Sequence, residues 1–214
     1  KEIEKISLIE CFENSKFSKI PLNNYKSGGD IFHTNTLELI DSTFKNQPPA
    51  FRKGNFLISI RNLHLLATVD FKKKSIAAVM QGPWRTQHEP QLLKNGNILF
   101  FDNTGYNSFS KVWEINPFLE KVEWEYVGNP PESFHSIFCG TVQRLQNGNT
   151  LITETCSGKA FEVRREDKKI VWKYINPNRA GENNQLIAAL LHITRLDPDF
   201  PIHWIPETKL TAVK

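Results

Sequence analysis

A chain of 214 residues is long enough for one sizeable domain with its own core, and no apolar run approaches the length that spans a bilayer. A hydrophobic content of 39% and a charged content of 23% describe an ordinary globular protein. The net charge of +4 is mild and its Lys and Arg residues are spread along the chain, which argues against a nucleic-acid surface.

The chain opens Lys1-Glu-Ile-Glu-Lys with neither an initiator Met nor a signal peptide, and is expected to be a trimmed chain or a fragment. Ile3, Ile6, Ile9 and Phe12 recur at helical spacing with Glu and Lys between them, which predicts a short amphipathic helix; residues 1–22 are helix and connector. Residues 23–30 read as a loop around Gly28-Gly29 and Asp30. Residues 31–40 are β-branched and aromatic enough for a strand, and the NQPPA run at residues 46–50 breaks it.

From there to residue 175 the chain repeats itself. Lys53-Gly54-Asn55, Asn95-Gly96-Asn97 and Asn147-Gly148-Asn149 each lead into an apolar run and then two further strand-like segments, with the Gly-Asn positions 42 and 52 residues apart. That length suits four antiparallel strands per unit, which is a propeller blade. Glycine supplies the positive φ of a tight hairpin. Trp124 and Trp172, at equivalent places in two units, are expected to wedge between neighbouring blades. After Tyr174 a polar loop and then Pro198, Pro201 and Pro206 rule out a long regular element, so residues 176–214 form a C-terminal closing segment. The fold class expected is all-β, a propeller with about three and a half blades, too few to close a ring, which again indicates N-terminal truncation.

Residues 83–90, Pro-Trp-Arg-Thr-Gln-His-Glu-Pro, connect two strand-dense segments and place His88 between prolines beside Trp84 and Arg85. Polar residues at equivalent blade ends converge on a propeller's channel, which selects His33, Asn35, Arg61 and His88. Two imidazoles, an amide and a guanidinium suit a tetrahedral anion, with donors for several oxygens and one nitrogen able to attack. Trp84, Trp113, Trp124 and Trp172 read first as blade-core residues, though Trp84 could flank an aromatic ring, with Arg85 beside it as a substrate contact. His64, His135, His192 and His203 are read as packing or surface residues. Cys11, Cys139 and Cys156 form no CxxC pair and read as small hydrophobes rather than metal ligands. Asp102-Asn103 has no second carboxylate cluster beside it, so no metal is expected.

The blocks Asp30-Ile-Phe-His33-Thr-Asn35-Thr, Leu57-Ile-Ser-Ile-Arg61-Asn62, Gln81-Gly-Pro-Trp-Arg-Thr-Gln87-His88-Glu and Leu145-Gln-Asn-Gly-Asn-Thr-Leu-Ile152, with the tail at residues 176–184, resemble the bacterial arylsulfotransferase family from about residue 6 to residue 205. The resemblance implies a six-bladed propeller that moves a sulfuryl group between phenols through a sulfated histidine, without the nucleotide donor 3′-phosphoadenylyl sulfate or any other cofactor. It implies an aryl sulfate and a phenol acceptor as partners, and an exported or periplasmic location. By motif, His88 matches the nucleophile, while His33, Asn35 and Arg61 match the residues that hold the sulfuryl oxygens. A further histidine of the family, from an earlier blade, has no counterpart here, and the usual Arg-His pair is Arg61-Asn62. The loop between His33 and Arg61 is also longer than the family's. The alternatives are a non-catalytic propeller that binds a protein partner or small anion, and a quinone-dependent dehydrogenase suggested by Lys169-Ile-Val-Trp172. The last lacks an adjacent cysteine pair and calcium ligands.

Overall fold

The computed structural model describes residues 4–24, 29–41, 43–105 and 107–204. Among these the strands form three four-stranded antiparallel sheets, each a simple meander, and one two-stranded ribbon. The first sheet holds β1 (Thr34–Leu39), β2 (Phe56–Ile60), β3 (Leu65–Asp70) and β4 (Ser75–Gln81). The second holds β5 (His88–Leu92), β6 (Ile98–Asp102), β7 (Lys111–Asn116) and β8 (Lys121–Val127). The third holds β9 (Thr141–Arg144), β10 (Thr150–Glu154), β11 (Lys159–Val163) and β12 (Ile170–Ile175). The ribbon pairs β13 (Arg179–Ala180) with β14 (Leu186–Ile187).

The sheets stack face to face with their first strands adjacent, the blade arrangement of a β-propeller. Side chains join those inner strands to one another. Thr36 Oγ1 accepts from Glu89 N at 3.1 Å and Glu38 Oε1 from Leu92 N at 3.1 Å, while Gln91 Nε2 donates to Val142 O at 2.7 Å. Each Gly-Asn pair turns the first strand into the second, with Gly54, Gly96 and Gly148 at φ of +91°, +88° and +87°. The Asn that follows is a brace as well: Asn97 Nδ2 donates to Glu114 Oε1 on β7, and Asn149 Nδ2 donates to Glu162 Oε1 on β11.

Apolar residues alternate along the central strands, so each sheet has two packing faces. Leu57, Leu66, Phe100 and Trp113 fill the space between the first and second sheets. Phe101, Trp124, Tyr126, Phe134 and Phe161 fill the space between the second and third. Trp124 is the expected wedge: its Nε1 donates to Arg165 O at 3.0 Å, and the guanidinium groups of Arg144 and Arg165 lie 5.3 and 6.0 Å from its ring. Both arginines also bond Glu114. Burial alone would raise the Glu114 carboxyl, but the bonds from Arg165 and Asn97 outweigh it and hold it below its ordinary value. Trp172 departs from expectation. It is 39% exposed, and what stacks on it is Arg195, 5.5 Å from the ring.

The N-terminal helix is shorter than the spacing predicts. It is α1 (Leu8–Glu13), because Ser7 takes the N-cap and its Oγ accepts from Glu10 N at 3.4 Å. A second helix, α2 (Lys19–Asn24), was not expected; Pro21 is tolerated there because the first turn needs no donor. Phe12 stacks on Phe32 at 5.5 Å, and α1 with its neighbours covers the face of the first sheet that points away from the second. Ile3, half of the expected 23–30 loop (residues 25–28) and Pro206 lie outside the described residues, and the first two residues of that stretch end α2. No described helix is long and apolar enough to cross a membrane.

Candidate active site

The loop that enters β5 is pinned on both sides of His88. Gln87 is fully buried, and its Nε2 donates to Leu65 O at 2.9 Å, Ile60 O at 3.2 Å and Ser59 Oγ at 3.2 Å. Its carbonyl accepts from Asn35 Nδ2 at 2.9 Å and Ser59 Oγ at 3.0 Å. Gln87 is thus a peg driven into the end of the first sheet. Thr86 and Glu89, on either side, hold φ of +53° and +52°. That region is sparsely populated for residues with a Cβ, and for a β-branched one it costs about 1–3 kcal/mol. The register between β5 and β6 also shifts between His88 and Gln91. Strain of this kind persists only where surrounding bonds over-determine it, as the Gln87 peg does.

The imidazole of His88 is oriented from one side. Its Nδ1 lies 2.9 Å from Thr86 O and 2.6 Å from Asn103 Oδ1. The amide orientation of Asn103 is fixed, because its Nδ2 donates to Ser136 O at 2.7 Å and to Cys139 O. Both partners of Nδ1 are therefore acceptors, so Nδ1 carries the proton and Nε2 holds a free lone pair. Burial pushes the His88 pKa down, with the charges of Arg61 and His33 acting the same way against the bonds from Asn103 and Thr86. A neutral ring with one fixed tautomer is the form in which an imidazole attacks.

His33 and Arg61 are near enough for their charges to act on His88. His33 precedes β1 at φ +44°, where its N donates to Asp30 Oδ1 at 2.7 Å and its Nδ1 lies 2.7 Å from Asp30 Oδ2. These contacts, the backbone bond first, hold the Asp30 carboxyl below its ordinary value. Arg61 opens a 3-10 turn after β2; its N donates to His33 O at 3.2 Å and its Nη1 to Asn62 Oδ1 at 2.9 Å. Asn62 in turn donates to Asp30 O at 2.7 Å, so this position ties the His33 loop to the Arg61 turn.

The remaining expected site residues make contacts of their own. Asn35 spends its amide N–H on the Gln87 carbonyl. Trp84 is 5% exposed and packs edge-on against Phe100 at 5.1 Å, so its faces have no room for a substrate ring. Arg85 is exposed; its N donates to buried Asp102 Oδ1 at 2.9 Å, and its charge reaches His64. Sequence reasoning weighed Asn103 only as part of a metal site and His64 only as a packing or surface residue. The polar Asp102-Asn103 pair that ends the apolar run of β6 was the available signal for the first; nothing local marked the second. Beyond Asn35 and Glu89 the inner strands line a groove of about 1280 Å³, with Glu38 on one wall and Arg144 on the other.

The family model described as Arylsulfotransferase (ASST) matches residues 3–177, most of the chain. The chain belongs to the arylsulfotransferase family. No curated protein matches it. Solved structures similar to it include the WD40 β-propeller domain of Doa1, 12% identical with a TM-score of 0.49, over 67% of this chain and 41% of that one. A protein of unknown function from Bacteroides caccae is 11% identical, TM-score 0.37, over 70% and 63% of the two chains. Virginiamycin B lyase from Staphylococcus aureus is 17% identical, TM-score 0.41, over 67% and 46%. The match spans less than two thirds of each of those chains. The arylsulfotransferase match takes in His33, Asn35, Arg61 and His88 together.

Proposed function

We propose that the protein transfers a sulfuryl group from one phenolic oxygen to another, with His88 Nε2 as the transient carrier. The observation that carries this reading is the pair of acceptors on His88 Nδ1, which leaves Nε2 unprotonated. In the first half-reaction the Nε2 lone pair forms an N–S bond as the S–O(aryl) bond breaks, and its electron pair leaves on the phenolate. In the second, an acceptor phenolate oxygen attacks sulfur and the N–S pair returns to Nε2. Nδ1–H stays on Thr86 and Asn103 throughout. The proton that the acceptor phenol gives up balances the one the departing phenolate gains.

Arg61 supplies fixed positive charge for the sulfuryl oxygens, where charge density shifts in the transition state. His33, with Nδ1–H on the Asp30 carboxylate, offers the lone pair of Nε2 to the hydroxyl of the acceptor phenol. Asn35 acts on the Gln87 carbonyl and so sets the height of the loop. Arg85, exposed near the same turn, adds to a positive mouth that attracts an aryl sulfate. Donor turnover that depends on acceptor phenol is the test, using a chromogenic aryl sulfate and the full-length protein. His88→Asn should lower kcat/KM at least about a thousandfold. Acceptor-independent release, or a His88→Asn variant at the wild-type rate, would contradict the proposal.

A further inference from the structure

His64 ends the 3-10 turn that begins with Arg61, at φ +53° and ψ +40°. Its Nδ1 lies 3.2 Å from Thr86 N. A backbone N–H can only donate, so this Nδ1 is bare and the ring proton sits on Nε2. The same Thr86 sends its carbonyl to His88 Nδ1 at 2.9 Å. Thr86, at φ +53°, therefore stands between two imidazoles: its N–H donates to His64 and its carbonyl accepts from His88. Its other contacts are through the hydroxyl, to Arg85 O at 2.7 Å and Thr104 Oγ1 at 3.0 Å.

We propose that His64 is a positioning residue: as a neutral acceptor it fixes Thr86, and through the Thr86 carbonyl it fixes the Nδ1–H tautomer of His88. The proposal rests on the reading of His88 as the nucleophile. The electrostatics around His64 match this role. Burial and the cations of Arg85, from the loop, and Arg61, from its own turn, all press its pKa down, opposed only by the Arg61 backbone carbonyl. A protonated His64 would turn an N–H against the Thr86 N–H and leave an imidazolium among two guanidinium groups. Low pH therefore removes the support at His64 as well as the lone pair at His88.

Two substitutions in the full-length protein separate the outcomes. His64→Asn keeps an acceptor near the Nδ1 position and does not titrate; His64→Leu has no acceptor. Long-range 1H–15N correlation should show His88 as the Nδ1–H tautomer in the wild type and His64→Asn, and as a mixture in His64→Leu. His64→Leu should lose about ten- to a hundredfold in kcat with little change in KM, in line with what small displacements of a reacting group cost. His64→Asn should keep most of the rate, and its acid limb should fall with the slope of one proton where the wild type falls more steeply. A single tautomer and full rate in His64→Leu would overturn the proposal. Should that variant not fold, an unchanged acid slope in His64→Asn would overturn it. If the wild type transfers no sulfuryl group, the functional reading fails and the tautomer measurement still decides the role of His64.

Discussion

Asn103 shows how much of the site lies one shell behind the reacting atom. Its Nδ2 donates to two loop carbonyls and its Oδ1 accepts the bond from His88 Nδ1–H, so Asn103→Ala leaves buried acceptors without donors. A loss of about 1–3 kcal/mol in stability is expected from denaturant unfolding, with a fall in kcat as well. The pH dependence follows from His88 itself. Its pKa is lowered first by burial and also by the Arg61 charge, and the neutral ring is the active form, so activity is lost as pH falls through the lowered value. Arg61→Gln removes a cation that disfavours imidazolium; the acid limb of kcat/KM should move to higher pH, and a limb that moves lower or stays put would count against this placement. His88, His33 and Arg61 were singled out by their motifs, and the family match spans all three. Trp84 sits in the blade core, the first of its two sequence readings, and Gly82 makes room for it: an added Cβ there would sit 2.1 Å from the indole. His64 and Thr86 were invisible because their bonds run between loops far apart in sequence.

At the scale of the element, the turns carry the clearest signal in the sequence and the clearest test. Gly148 has open space where a Cβ would go, so Gly148→Ala meets only the conformational cost of φ +87°, about 1 kcal/mol. Gly96 has the Phe44 ring 2.8 Å from that position, so Gly96→Ala should be clearly the more destabilising by thermal melting. Strand β1 holds a second, independent test. Burial first, then Glu89 and Asp41, push the Glu38 carboxyl up to about 7 against the bond from Leu92 N. A carboxyl raised on folding binds its proton more tightly in the folded state, so its contribution is full below the ordinary Glu value and is lost as pH rises towards about 7. Glu38→Gln should flatten that decline in stability between acid and neutral pH. The boundaries of α1 and β1 were less legible, since they depend on the Ser7 cap and on the turn at His33 rather than on apolar spacing.

Across the whole molecule, three stacked sheets bring residues from three loops to one end of the inner strands. Trp124 couples the second sheet to the third, and its truncation to Ala should cost about 3–5 kcal/mol, whereas Trp172→Ala, on the exposed β12, should cost much less in this chain. The repeat made both tryptophans visible in the sequence, but equivalence within a repeat does not say what stands on the far side of each. The proposed transfer turns on a single atom, Nε2 of His88, and peptide mapping by mass spectrometry reads out its occupancy. After the protein is exposed to an aryl sulfate without acceptor, one base-stable, acid-labile sulfuryl group should appear on the peptide containing His88 and vanish when a phenol is added. A sulfuryl group on any other residue, or none while donor is turned over, would contradict the account.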